Sequence, residues 1–112
     1  MQSRIIYIER KDDGISGPAS IGRVAFSQTG RSVYHQGRRF QKAQGFKSNY
    51  IEMSTGAEYW ISGCKKRGGD RLYPRLVEID ADVLEEYWVQ IRNLPERKGQ
   101  KVIRCKGKYG GE

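Results

Sequence analysis

Hydrophobic positions along the chain alternate with polar ones in short runs, the pattern of β-strands that bury one face. Turn-forming residues such as Gly, Pro, Asn, Asp and Ser stand between most of these runs. The predicted strands are Arg4–Arg10, Ile21–Ser27, Ser32–Gln36, Arg38–Gln41, Asn49–Ser54, Ala57–Ser62 and Leu72–Ile79. Because they are short and closely spaced, we expect a mainly β fold, either a bent antiparallel sheet of about five or six strands or a small SH3-like barrel.

A different periodicity follows the last predicted strand, where apolar residues recur every three or four positions. These residues are Leu84, Tyr87, Trp88, Ile91 and Leu94. Asp82 and Glu85 have the spacing of a capping box, and Asp80 is an alternative cap at the same end. The pattern stops at Pro95, because proline interrupts a helix. We therefore expect one C-terminal amphipathic helix over residues 81–94, packed across the sheet.

The length of 112 residues predicts one domain, which spans residues 1–95 and ends with that helix. Residues 96–112 are rich in Gly, Lys and Arg, so we expect a flexible basic tail, with the run VIRC as an alternative, marginal strand. No apolar run in the sequence approaches the roughly 18 residues of a membrane span. We therefore expect no membrane contact. The two cysteines stand far apart in the sequence, so we expect no disulfide framework and a cytoplasmic location.

The net charge of +8 is unevenly distributed along the chain. Residues 31–75 carry ten Lys and Arg residues against three acidic ones, and residues 76–95 carry one Arg against five acidic residues. Residues 96–112 are basic again, with six cationic and two acidic side chains. A charge distribution of this kind attracts polyanions and steers their encounter, so we expect the partner to be nucleic acid or an acidic protein.

Residues suited to catalysis or metal binding are scarce in the sequence. His35 is the single histidine, and its sequence neighbours are polar and basic, so we expect an exposed side chain in a strand or turn. Cys64 stands beside cationic residues that favour a thiolate, but a half-buried structural cysteine is the simpler interpretation. Neither a zinc-binding spacing nor a phosphate-binding glycine motif occurs. We therefore expect no enzyme activity, no metal and no cofactor.

Aromatic and basic residues interleave in residues 31–50 and 58–75. In proteins that bind single strands, aromatic rings stack on unpaired bases while Lys and Arg contact the phosphates. The residues that we expect to bind nucleic acid, single-stranded DNA or RNA, are Arg38, Arg39, Lys42, Lys47, Trp60, Lys65, Lys66, Arg67, Arg71 and Tyr73. We interpret residues 65–75 as an exposed basic hairpin that forms one ligand-binding surface together with residues 38–47.

Alternative interpretations stay open for the same residues. Aromatic residues are also what a small β core needs, and charged runs are often solvated turns. In the strand Ala57–Ser62, Tyr59 and Ile61 share one face, which we take as the core face. Trp60 then lies on the other face, where it is either covered by the helix or exposed. If the two faces are reversed, Trp60 lies on the core side instead. The alternative function is a protein-interaction module without catalytic activity, such as an adaptor or a phage- or toxin-related partner protein.

The stretch GFKSNYIEMSTGAEYWISGCKKRGGDRLY, followed by VEIDADVLEEYWVQIRN, resembles a family of small bacterial proteins of unknown function. The resemblance covers residues 3–94 and includes an N-terminal strand like RIIYIE and the segment IGRVAFSQTGRSVYHQGRRF. It implies a compact single domain and a cytoplasmic location. It implies no particular activity and assigns no catalytic or binding residue.

Overall fold

The computed structural model describes residues 2–11, 19–45, 48–64, 66 and 75–105 of the chain. The strands of this part are β1 (Gln2–Arg10), β2 (Ala19–Phe26), β3 (Ser32–His35), β4 (Arg38–Lys42), β5 (Tyr50–Glu52), β6 (Glu58–Gly63), β7 (Arg75–Ile79) and β8 (Val102–Cys105). Between β7 and β8 the chain forms an irregular helical segment (residues 81–91) and a 3₁₀ turn at Pro95–Arg97. Each strand predicted from the alternation has a counterpart among β1 to β7.

Six strands close into an antiparallel barrel in the order β1-β6-β5-β4-β3-β2, and β2 pairs back with β1. The β1–β2 seam is long and runs from Gln2 opposite Phe26 to Glu9 opposite Ala19. Closure gives every barrel strand a neighbour on both sides, which satisfies its backbone hydrogen bonds. The prediction of a small, mainly antiparallel barrel with a C-terminal helical segment is confirmed.

The first strand is buried on both faces, and this explains its continuous apolar run. Ile6 and Ile8 point into the barrel, whereas Ile5 and Tyr7 point outward beneath the helical segment. The barrel interior is filled by Ile6, Ile8, Val24, Val33, Phe40, Tyr50, Ala57, Tyr59 and Ile61. A second core lies between the outer barrel wall, β7 and the helical segment, and it contains Ile5, Tyr7, Ala19, Ile21, Val77, Ile79, Val83, Tyr87 and Trp88.

The helical segment differs from the regular helix expected over residues 81–94. It consists of a 3₁₀ turn at Ala81–Val83, one α-helical turn at Leu84–Glu86 and a π-helical turn at Tyr87–Ile91. Soon after it, Asn93 has a left-handed backbone (φ 54°), a conformation that ends helices, so the segment stops before Pro95. Tyr87 and Trp88 are buried and Leu84, Ile91 and Leu94 are half-buried against the same core, on the face that the periodicity predicts. Packing against the barrel rather than helix propensity holds the segment in place.

Beyond the barrel, the sheet continues through β7 and β8. The start of β2 pairs in parallel with β7, through Ser20 opposite Glu78, while the end of β2 pairs with β3, through Ala25 opposite Tyr34. The sheet therefore forks along β2, and β7 with β8 forms an antiparallel extension that we call the β7–β8 arm. Of the tail expected at residues 96–112, the described part forms the 3₁₀ turn and β8, so the run VIRC is a strand.

The strands on either side of residues 65–75 do not pair with each other, so β6 and β7 are not the two strands of a hairpin. The strand before this stretch, β6, pairs with β1 and β5, whereas the strand after it, β7, pairs with β2 and β8. Closure of the barrel occupies both edges of β6, so β7 cannot fold back onto it. Within the stretch itself, only Lys66 and the backbone of Arg75 lie among the described residues.

Candidate functional site

A cleft of about 480 Å³ opens between one end of the barrel and the β7–β8 arm. Residues that line it include Arg10, Ala19, Arg38, Tyr59, Leu76 and Glu78. Arg38 and Tyr59 belong to the barrel, whereas Leu76 and Glu78 belong to β7 in the arm. The volume falls within the range of clefts that hold small molecules. We call this space the mouth cleft.

The guanidinium of Arg38 is held firmly on the barrel side of the mouth cleft. It donates hydrogen bonds to the Tyr59 hydroxyl (3.1 Å) and to Nδ1 of His35 (3.3 Å). Its central carbon lies over the rings of Phe40 and Tyr59, 5.3 and 5.7 Å from their centroids. These two rings meet edge to face, with 4.9 Å between centroids. A planar cation with fixed partners on its edge and beneath it has little rotational freedom.

The tight turn between β3 and β4 places Arg38 in this position. Gln36 and Gly37 both have positive φ angles, 50° and 77°, as a two-residue type I′ hairpin requires. The turn sets Arg38 directly opposite His35 in the β3–β4 pair. Because residues two apart in a strand share a face, Arg38 lies on the same inward face as Phe40. The hairpin thus places the Arg38 guanidinium at the end of the barrel, next to the rings of Phe40 and Tyr59.

His35 is buried, with only 3% of its surface exposed, so the expectation of an exposed histidine is wrong. Its Nε2 lies 2.8 Å from Oδ2 of Asp80, and the side-chain amide of Gln36 donates to the same oxygen. Because Arg38 donates to Nδ1, the imidazole proton is assigned to Nε2, which donates to Asp80. Asp80, the alternative helix cap, occupies the N-cap position, but its carboxylate binds these side chains and caps no backbone N–H of the helical turn. Since Asp80 stands 45 positions away, sequence neighbours could not identify it as the partner.

The His35–Asp80 pair positions Arg38 and is not arranged as a general base. A general base needs a ring nitrogen that can accept a proton from a substrate. Nδ1 of His35 faces the Arg38 guanidinium, which is a donor, and Nε2 faces the carboxylate. A chain of hydrogen bonds therefore runs from Asp80 through His35 and Arg38 to Tyr59, and it includes the cation at the mouth cleft.

The predicted nucleic-acid contacts point in different directions. Arg38 points to the barrel interior and mouth, whereas the adjacent Arg39 is exposed on the outer wall, near the Ser32 hydroxyl and the Gln41 side chain. Lys42 and Lys66 are exposed. The other predicted contacts lie outside the described residues; they are Lys47, Lys65, Arg67, Arg71 and Tyr73.

Trp60 is 40% exposed on the outer face of β6, and its neighbours Tyr59 and Ile61 are buried as the alternation predicts. It pairs with Glu9 in β1. Arg39 is on the same outer wall, but β5 lies between them, and the registers place them four residues apart along the strands. The two are therefore separated by roughly 16 Å, from strand and residue spacings. Trp60 and Arg39 are therefore too far apart to contact the same base or phosphate of a ligand.

The cationic charge of the described barrel is concentrated in β2 to β4. Residues 19–45 contain Arg23, Arg31, Arg38, Arg39 and Lys42 but no Asp or Glu. Arg23 pairs with Glu86 of the helical segment, with 2.5 Å between Nη2 and Oε1. Arg31, Arg39 and Lys42 are exposed, and Lys42 N–H donates to the Arg31 carbonyl oxygen, so these two residues are neighbours. The β3–β4 side of the barrel is thus basic, and the helical segment carries the exposed acidic residues Asp82, Glu85 and Glu86.

The remaining candidates for chemistry have structural surroundings. Cys64 is half-buried, packs against the outer core and has its Sγ 3.9 Å from the Ile5 carbonyl oxygen. Within the described ranges, the His, Cys, Asp and Glu side chains form no group of three or more that could hold a metal ion. In the same part of the chain, no helix is long and apolar enough to cross a membrane.

The sequence did not identify several residues of the mouth cleft, notably Arg10, Leu76 and Glu78. Leu76 and Glu78 share one face of β7, a fact that alternation alone predicts. What the sequence lacks is the parallel pairing of β7 with the start of β2, which brings this face opposite the barrel end. Arg10 carries no sequence signal beyond its charge at the end of an apolar strand.

Comparison of the chain with family models, with curated proteins and with solved structures finds no match. The resemblance to a family of small bacterial proteins therefore stays a hypothesis.

Proposed function

We propose that the protein is a nucleic-acid-binding module that binds single-stranded DNA or RNA. The phosphates lie along the β3–β4 side of the barrel, and an unpaired stretch of the strand crosses the mouth cleft. The observation that carries this proposal is the purely cationic composition of residues 19–45, next to a cleft where the Arg38 guanidinium is fixed. A small barrel that presents cations beside a concave site suits a flexible anionic strand.

Electrostatics favours a polyanion over a neutral ligand here. Arg31, Arg39 and Lys42 are exposed, and residues 19–45, to which they belong, contain no carboxylate side chain. Phosphate contacts release counterions and supply most of the affinity of non-specific binding. The concave cleft favours a single strand, because a stacked duplex cannot enter a space of this size. The proposal includes a cytoplasmic location and no catalytic activity.

The experiment is a fluorescence anisotropy titration of a labelled nine-nucleotide single strand, as DNA and as RNA, at several salt concentrations. The double variant Arg39→Glu, Lys42→Glu is compared with Lys98→Glu, Lys101→Glu, which changes the net charge equally near the start of β8. The β4 variant should bind at least about tenfold more weakly, and its salt slope should fall by about 0.7 for each lost phosphate contact. Equal losses in both variants, or no binding by the wild type at low salt, would reject the proposal.

A protein-interaction module is the second candidate, and one observation favours it. Leu76 and Val102 are 51% and 40% exposed, and both lie on the same face of the β7–β8 arm. Exposed apolar side chains beside an arginine-lined cleft also suit an acidic peptide with apolar residues. Displacement of the bound oligonucleotide by such a peptide, at a lower concentration than by unlabelled DNA, would favour this candidate.

A further inference from the structure

The mouth cleft is lined by a planar cation from the barrel, Arg38, and by an apolar side chain from the arm, Leu76. Phe40 is fully buried and Tyr59 nearly so, and both rings lie on the barrel-interior side of the Arg38 guanidinium. Arg38 and Tyr59 both line the cleft, so a ligand in the cleft would meet the guanidinium next to an aromatic ring. Arginine planes that rest on aromatic rings can also stack on an unpaired base.

The arm supplies the second wall. Leu76 is about half exposed and lines the cleft together with Glu78, which is two residues further along the same face of β7. Leu76 can cover the second face of a flat ring, and the Glu78 carboxylate can accept hydrogen bonds at the edge of that ring. The volume of about 480 Å³ is sufficient for one nucleotide.

We infer that the mouth cleft binds one unpaired nucleobase, stacked between the Arg38 guanidinium and Leu76, with its hydrogen-bonding edge at Glu78. This inference rests on the proposed function and names the part of the strand that enters the cleft. Asp80 and His35 are positioning residues for it, because they fix the guanidinium through Nδ1 of His35. The rigid platform requires no reordering of Arg38 when the base binds.

The carboxylate of Glu78 also predicts which base is preferred. A carboxylate only accepts hydrogen bonds, so it favours a base edge with adjacent N–H donors. The pairing edge of guanine presents an imino and an amino donor side by side, whereas that of thymine or uracil flanks its single donor with carbonyl oxygens. We therefore expect guanine to bind more tightly than thymine or uracil.

The test compares three labelled nine-nucleotide DNA strands: all thymine, thymine with a central guanine, and thymine with a central abasic site. The wild type should bind the guanine strand about tenfold more tightly than the all-thymine strand. Glu78→Gln should remove this preference, and the exposed Glu85→Gln on the helical segment should preserve it. Arg38→Lys keeps the charge but loses the planar platform, so it should weaken guanine binding about tenfold without changing the salt slope.

The outcomes separate the two proposals. If the wild type binds none of the strands, the proposed function fails and this inference fails with it. If it binds all three strands equally, and Glu78→Gln and Arg38→Lys bind like the wild type, nucleic-acid binding stands and the base site is rejected. Thermal unfolding checks that Arg38→Lys folds. If Arg38→Lys does not fold, Glu78→Gln alone tests the base site, because Glu78 is exposed on the arm and its substitution should not affect folding.

Discussion

Gly22 in β2 has no side chain, and this leaves room for the His35–Asp80 pair at the fork of the sheet. Gly22 lies between the residues of β2 that pair with β7 and those that pair with β3. A Cβ atom built on Gly22 would overlap the Asp80 carboxylate and would lie 2.6 Å from Nε2 of His35. The glycine is required for space, so its role depends on residues distant in sequence.

Gly22→Ala should therefore lower the free energy of unfolding by about 1–3 kcal/mol, the usual range for overpacking. The matched control is Gly99→Ala, because no atom lies within 4 Å of a Cβ built there. Urea unfolding of both variants and the wild type measures the difference. Equal stability of the two variants would show that the His35–Asp80 pair does not occupy the space at Gly22.

The turn after β5 is organised by one buried carboxylate. Glu52 accepts hydrogen bonds from the hydroxyl and backbone N–H of Ser54, and Oε1 lies 3.4 Å from the Thr55 hydroxyl. The hydrogen bonds from the Ser54 hydroxyl, and then those from its backbone N–H, hold the pKa of Glu52 below its ordinary value of 4.5. The ionised form of Glu52 is therefore the one that stabilises the turn.

This shift predicts how stability depends on pH. Because the pKa is lowered in the folded state, the unfolded state binds more protons below about pH 4.5, and stability falls as the pH decreases through that region. Glu52→Gln should have a shallower acid-side loss than the wild type between pH 5 and pH 2, roughly the range of this transition. Urea midpoints across the range measure it, with Glu85→Gln as the exposed control. Parallel curves for wild type and Glu52→Gln would contradict the assignment.

The strands follow from the sequence much better than the helical segment does. Alternation and turn residues identify β2 to β7, because such a strand needs only one local rule, the burial of every second side chain. The strand β1, which is buried on both faces, is identified by its run of β-branched and aromatic residues. The helical segment has the expected apolar residues, but three kinds of helical turn in 11 residues are a consequence of packing on the curved barrel wall. Local propensity contains no information on that curvature.

The helical segment is attached to the barrel through Trp88, and this predicts a large effect of its removal. Trp88 is fully buried, contacts Tyr87 edge to face, and donates its indole N–H to the Gln100 carbonyl oxygen at 2.8 Å. Trp88→Ala should lower the free energy of unfolding by about 3–5 kcal/mol. Trp60→Ala removes the same side chain from an exposed position and should cost much less. Similar losses in both variants would contradict the packing of the segment.

The mouth cleft was only partly predictable, for reasons of topology. The alternation does predict that Arg38 and Arg39 lie on opposite faces, and the structure agrees. It does not predict that Arg38 meets His35 and Tyr59, because these contacts depend on the β3–β4 turn and on barrel closure. Leu76 and Glu78 become part of the site only through the parallel β2–β7 pairing.

The complete molecule combines a basic barrel side with an acidic helical side. The acidic side chains of the helical segment are exposed, and Glu86 pairs with Arg23 at the boundary between the two sides. This polarity orients an approaching polyanion toward β3 and β4, where the exposed cations lie. An acidic protein would be oriented in the same way, so charge alone does not separate the two candidate partners. What would separate them, under our proposal, is whether the mouth cleft binds an unpaired base or the apolar side chains of a peptide.

The most direct test of nucleic-acid binding is therefore a competition measurement at near-physiological salt. The protein is bound to a labelled nine-nucleotide single strand, and the anisotropy is followed as unlabelled strand or polyglutamate of equal charge is added. We predict binding in the micromolar range or tighter, displacement by the unlabelled strand near its own Kd, and displacement by polyglutamate only at concentrations at least about tenfold higher. Absence of binding, or equal competition by polyglutamate, would contradict the account.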